Sequence, residues 1–248
     1  MTGNRVGRVY ARLADAARRG HEPLSNGVLC RMACPDLDVD GASVTVMAHA
    51  RPDDRAASPG VLQEPVATSD RASTRLEELH LTVGEGPSTE AFASACPVLV
   101  PDLADATGRW PGFVPAALAQ NVGSVFAFPL QTASMLAGVL TVHRFRSQSL
   151  TPQALTEAHA FAEVAVELLH SDPAEPLTSE TRPPAGPAAE RDQVHQAVGM
   201  LAVRLGVGLQ EASLRLRAHA LTHELSLSEL ARQVLTGQAT VPADSGGS

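Results

Sequence analysis

The sequence predicts an α+β domain followed by a small all-α bundle. Three observations carry this. Residues 1–170 mix helical and alternating apolar periodicities, residues 171–189 hold five prolines and almost no large apolar side chain, and residues 190–238 show helical periodicity alone. The chain of 248 residues divides accordingly into a domain at 1–170, a Pro-rich linker at 171–189, a three-helix bundle at 190–238 and a tail at 239–248. The linker SDPAEPLTSETRPPAGPAA is too polar to bury a core and is expected to act as a semi-extended spacer. The tail ATVPADSGGS is expected to be disordered.

In the first domain, Val6, Val9, Tyr10, Leu13 and Ala17 mark a helix, and residues 23–32 can form a second. Residues 42–50 alternate as a strand with Val44, Val46 and Ala48 on one face and polar groups opposite, which predicts a half-buried strand. A second strand is expected near 64–68 and a helix over 72–79. A turn at 84–87 leads into a short helix at 88–95, then a short strand at 97–100. Residues 123–130 and 136–145 are two strong strands joined by QTASM, a longer hairpin loop. The helix over 151–170 starts with Thr151 as cap and Pro152 in its first turn. In the second domain, helix one (188–205) carries Val194, Val198, Leu201 and Leu205 on one stripe and stops at Gly206. Helix two (209–223) carries Ala212, Leu216 and Ala220. Helix three opens on Ser226-Leu227-Ser228-Glu229, a capping box, and ends at Gly237.

Composition excludes several function classes. The formal net charge is −8, so bulk charge does not drive nucleic-acid binding, although a local face can. All 19 basic residues are arginine. Cys30, Cys34 and Cys96 are too few for a disulfide framework, and no secretory signal or apolar span appears, which predicts a cytoplasmic protein without a membrane segment. No P-loop, GxSxG, HExxH or paired-carboxylate pattern stands out, so no enzyme, cofactor or metal site is expected. His219 and His223, at i and i+4, could share a metal, but no third ligand accompanies them and a polar helix face is the preferred reading.

The run Gln196-Ala197-Val198-Gly199-Met200-Leu201, then Gln210-Glu211-Ala212, Leu216 to Ala220 and Leu227 to Ala231, resembles the ANTAR module, a three-helix RNA-binding domain of bacterial transcription antitermination regulators. The resemblance spans residues 191–235. Upstream, Gly84-Glu85-Gly86-Pro87 through Glu90-Ala91, residues 98–102, Arg109-Trp110-Pro111 and residues 126–130 resemble the sensory GAF domains that precede ANTAR modules in actinobacterial regulators. The sequence departs from these patterns at Val198, where the family often has a basic residue, at Ser88, where related GAF domains often have cysteine, and in the Pro-rich linker, which replaces a continuous coiled coil.

The resemblance implies a transcription regulator whose bundle binds paired RNA hairpins in nascent transcripts, with a GAF-like domain that senses a small molecule or protein partner or mediates homodimerisation. RNA recognition of this kind targets unstacked loop bases. Ala197 and Gly199 would allow close approach, and Arg204, Arg215, Arg217 and Arg232 would hold phosphates. The same residues have a second reading. Ala197 and Gly199 would serve tight helix packing, and the arginines would pair on the surface with Glu211, Glu224 or Glu229. In the first domain Asp102, Arg109 and Trp110 either line a ligand pocket or belong to a loop anchored by one buried aromatic. Two alternative functions are kept. One is a thiol-dependent GAF-type enzyme using Cys96 or the Cys30/Cys34 pair. The other is DNA binding, disfavoured because residues 226–235 carry only Arg232.

Overall fold

The computed structural model describes residues 3–49, 61–132, 135–171, 187–223 and 225–242. Most of the expected linker and the end of the expected tail lie outside them. The N-terminal part is a five-stranded antiparallel sheet with helices on both faces, as its mixed periodicity predicts. Its strands are β1 (Gly41–His49), β2 (Val61–Thr68), β3 (Val98–Val100), β4 (Ser124–Gln131) and β5 (Leu136–Arg144), in the spatial order β2-β1-β5-β4-β3. Helices α1 (Gly3–Gly20), α2 (Asn26–Leu37) and α6 (Pro152–Ser171) share one core with one sheet face. Helices α3 (Arg71–Val83), α4 (Pro87–Ser94) and α5 (Phe113–Ala119) share another with the opposite face.

Strand alternation sorts residues between the two cores. On β4, Phe126 and Phe128 point to the α1/α2/α6 side, and Val125 and Ala127 to the α3/α4/α5 side. Both faces are covered, so β4 reads as a continuous apolar run. β5 crosses β1 so closely at Gly138 that a Cβ there would lie 2.0 Å from the Thr45 carbonyl oxygen. Only glycine fits that crossing.

Local signals explain the element ends. Asp70 caps α3 by accepting from the Ser73 N–H at 2.8 Å, and Gly84 closes the helix in the left-handed conformation. Thr151 caps α6, accepting from the Ala154 N–H at 3.1 Å, as expected. Helix α5 has no counterpart in the sequence reading. Its start is fixed from a distance: Glu85 Oε1 accepts from the N–H groups of Gly112 at 2.7 Å and Phe113 at 3.1 Å. Helix α2 also runs to Leu37, past the expected end at 32, with Pro35 in its last turn.

The C-terminal part is three helices: α7 (Pro187–Leu205), α8 (Leu209–Thr222) and α9 (Leu227–Leu235). Their core contains Ala197, Leu201, Ala212, Leu216, Ala220, Leu227, Leu230 and Val234; the α8 stripe is buried as expected, whereas on α7 Val194, Val198 and Leu205 are only partly buried and Ala197 joins Leu201 at the centre. The bundle rests on the first domain. Helices α8 and α9 pack against α3, and α7 packs beside the edge strand β2.

Candidate nucleic-acid interface

The C-terminal helices place the six expected RNA contacts in different environments. Ala197 is fully enclosed in the bundle core, so its small side chain serves helix packing. Gly199 is different. A Cβ built on it would meet nothing within 4 Å. Packing therefore does not demand glycine here, although a mid-helix glycine costs about 1 kcal/mol relative to alanine. One turn to either side of Gly199, Gln196 and Val203 are exposed, Val203 at 85%, so the bare backbone is flanked by an amide and an apolar side chain, and Arg204 is exposed next to Val203 further round the helix.

The arginines divide into three kinds. Arg204 is exposed in the last turn of α7. Arg215 donates to Glu211 at 2.7 Å and Arg232 to Glu229 at 2.6 Å, both within one helix. Such partly exposed pairs within one helix are weak. Arg217 is partly buried, its Nε has no hydrogen-bond partner, and burial pulls its guanidinium down from the ordinary value. Its Nη1 lies 3.9 Å from where a Cβ on Gly84 would stand, at the C-terminal end of α3. Glu224, the third expected partner, lies outside the described residues. The expected capping box is half formed. Ser226 Oγ accepts from the Glu229 N–H at 3.1 Å, but the Glu229 carboxylate turns to Arg232 and Gln233.

The rings of His219 and His223 sit 4.2 Å apart on α8, and His219 is lowered by burial and by its neighbour. Among the described residues no group of three or more His, Cys, Asp or Glu is placed to hold a metal.

In the first domain, Asp102, Arg109 and Trp110 have separate commitments. Asp102 accepts from the Ala104 N–H at 3.1 Å and from Ser147 Oγ at 3.2 Å. Arg109 grips Glu90 of α4 and lies over the Trp110 ring, 4.5 Å from its centroid. Trp110 is buried in the α3/α4/α5 core. These are the contacts of an anchored loop. Two of the three thiols are enclosed. Cys30 is fully buried and Cys34 partly so, and burial pushes both thiols up, away from thiolate reactivity. Cys96 is exposed.

A polar seam that the sequence reading did not single out lies between α3 and the sheet. Glu77, almost fully buried, accepts from Ser43 Oγ at 2.7 Å and Thr45 Oγ1 at 2.6 Å. His80 Nε2 and Ser88 Oγ hydrogen-bond at 3.2 Å, and Ser88 Oγ meets Thr141 Oγ1 at 2.9 Å. Nδ1 of His80 and Nε2 of His143 are buried without a partner. Burial lowers both imidazoles and keeps them neutral. The alternation of β1 was a usable signal, but it predicted a solvated polar face. Helix α3 covers that face instead.

Comparison with known proteins adds a family to this geometry. The solved structures that resemble the chain include two GAF domains of phosphoenolpyruvate-protein phosphotransferases. The one from Coxiella burnetii is 14% identical, covers 67% of this chain and 95% of its own, and has a TM-score of 0.45. The one from Acinetobacter is 12% identical, covers 68% of this chain and 92% of its own, with a TM-score of 0.42. No curated protein gives a significant match. The ANTAR domain family matches residues 188–235, the span of α7, α8 and α9. The three C-terminal helices therefore form an ANTAR domain.

Proposed function

We propose that this chain is an RNA-binding regulator of transcription termination. Its ANTAR domain docks on hairpins of nascent transcripts, and its GAF-like domain receives a signal or mediates dimerisation. The observation that carries this reading is Gly199. A helix-interior glycine with open space around it lacks an intramolecular reason, and a bare backbone patch suits the close approach of unstacked loop bases. The phosphate contacts are assigned to Arg204 at the end of α7, Arg215 of α8 and Arg232 of α9, while Ala197 serves packing in the bundle core. Two bundles acting on two adjacent hairpins, in a homodimer, would raise affinity through effective concentration and offset the acidic balance of the chain. The five-stranded antiparallel sheet with helices on both faces supports the GAF-like reading of the first domain. No described helix is long and apolar enough to cross a membrane, and a protein that acts on nascent transcripts in bacteria works in the cytoplasm.

The test is binding of the full chain carrying Arg204→Ala and Arg215→Ala to a synthetic RNA of two adjacent stem-loops, over a salt series. Affinity should fall, and the slope of log K against log salt should shrink by about 0.7–0.9 per lost phosphate contact. An unchanged slope would remove these two arginines from the interface.

A further inference from the structure

The helix α3 faces two ways. Its inner side carries Glu77 and His80 into the polar seam of the first domain. Its C-terminal end carries Leu81, which packs into the ANTAR core, and Gly84, which lies under Arg217. Arg217 is partly desolvated, with an unsatisfied Nε and no acidic partner among the described residues. The carbonyl end of a helix attracts a cation, but only by a fraction of what a phosphate offers, because its charge is partial and offers no bidentate acceptor. The contact is therefore one that a phosphate can outcompete.

From this we infer that the described arrangement is a docked state in which α3 withholds Arg217 from RNA, so that docking on α3 weakens RNA binding. This rests on the RNA-binding reading above and adds its regulation. Opening frees Arg217 for a phosphate and uncovers the α8 and α9 surfaces now packed on α3. Thermodynamic linkage makes the coupling reciprocal: whatever loosens α3 raises RNA affinity, and RNA loosens the contact on α3. Apparent affinity in the docked state is reduced by the fraction of molecules that are open. Because the inner face of the same helix lines the polar seam, a change in that seam has a short route to the dock.

The experiment measures binding of the full chain, Leu81→Glu and Leu81→Glu with Arg217→Ala to the synthetic two-stem-loop RNA, with circular dichroism as a check on folding. Leu81→Glu places a charge in the contact and should tighten binding about tenfold, within the usual range of allosteric coupling. Adding Arg217→Ala should cancel a large part of that gain. A second readout needs no substitution. In the unmodified chain, saturating RNA should raise hydrogen exchange at the amides of residues 81–84, and it decides the question if Leu81→Glu does not fold. Equal affinity of the wild type and Leu81→Glu, or unchanged exchange at residues 81–84 in RNA-bound protein, overturns the dock while leaving RNA binding intact. Absence of RNA binding by wild type and folded Leu81→Glu alike overturns the RNA reading itself, and the dock with it.

Discussion

Gly199 and Ala197 show how two small residues in one motif come to do different work. From the sequence both could serve either packing or close approach. The structure gives Ala197 to the bundle core and leaves Gly199 facing open space. The consequence is a prediction with opposite signs. Gly199→Ala should stabilise the bundle by about 0.5–1 kcal/mol, because alanine loses less backbone entropy in a helix. It should also weaken stem-loop binding several-fold, because the added methyl group holds the RNA off. Chemical denaturation and RNA titration of the same variant check both halves, and a variant that gains stability without losing affinity would make the glycine incidental. Residues with long-range partners were not legible in this way. Arg144 is almost fully buried, and its guanidinium donates to the carbonyls of Asp38 at 2.7 Å and Ser149 at 2.9 Å. Nothing local in the sequence distinguishes it from the exposed Arg146 two positions later.

At the scale of elements, periodicity and caps located the strands and all but one of the described α-helices, because those signals are local. Helix α5 escaped because its N-terminal cap, Glu85, lies 28 positions before Phe113 in sequence. The polar seam escaped for a related reason: Ser43 and Thr45 look like a solvated face until α3 is laid over them. That seam has a pH signature. His80 and His143 are held neutral by burial, so their folded pKa values lie below the ordinary value, whereas the unfolded chain takes up protons near it. Their contribution to stability is full above about pH 6.5 and is lost as pH falls toward the depressed folded values. Urea midpoints should therefore drop between about pH 7 and about pH 5, and His80→Gln should flatten that drop. The same pH slope in wild type and His80→Gln would place the titration elsewhere.

At the scale of the whole molecule, the change from an α+β part to an all-α part was legible from periodicity, since the apolar spacing of residues 190–238 is helical alone. The contact between the parts was not. A linker predicts separation of the chain into units but says nothing of whether they touch, and here Leu81 joins the bundle core while Arg217 lies against the end of α3. The ANTAR family match covers residues 188–235, the span of α7 to α9, and within it Arg217 lies against the end of α3. The central claim is that the full chain reads looped RNA through the outer face of α7. Competition binding tests it most directly, with the two-stem-loop RNA as probe and, as competitors, a fully paired DNA duplex of equal charge and an RNA of scrambled sequence that cannot fold. The account predicts that neither competitor displaces the probe at concentrations where unlabelled stem-loop RNA does. Equal displacement by all three, at every salt concentration, would contradict it.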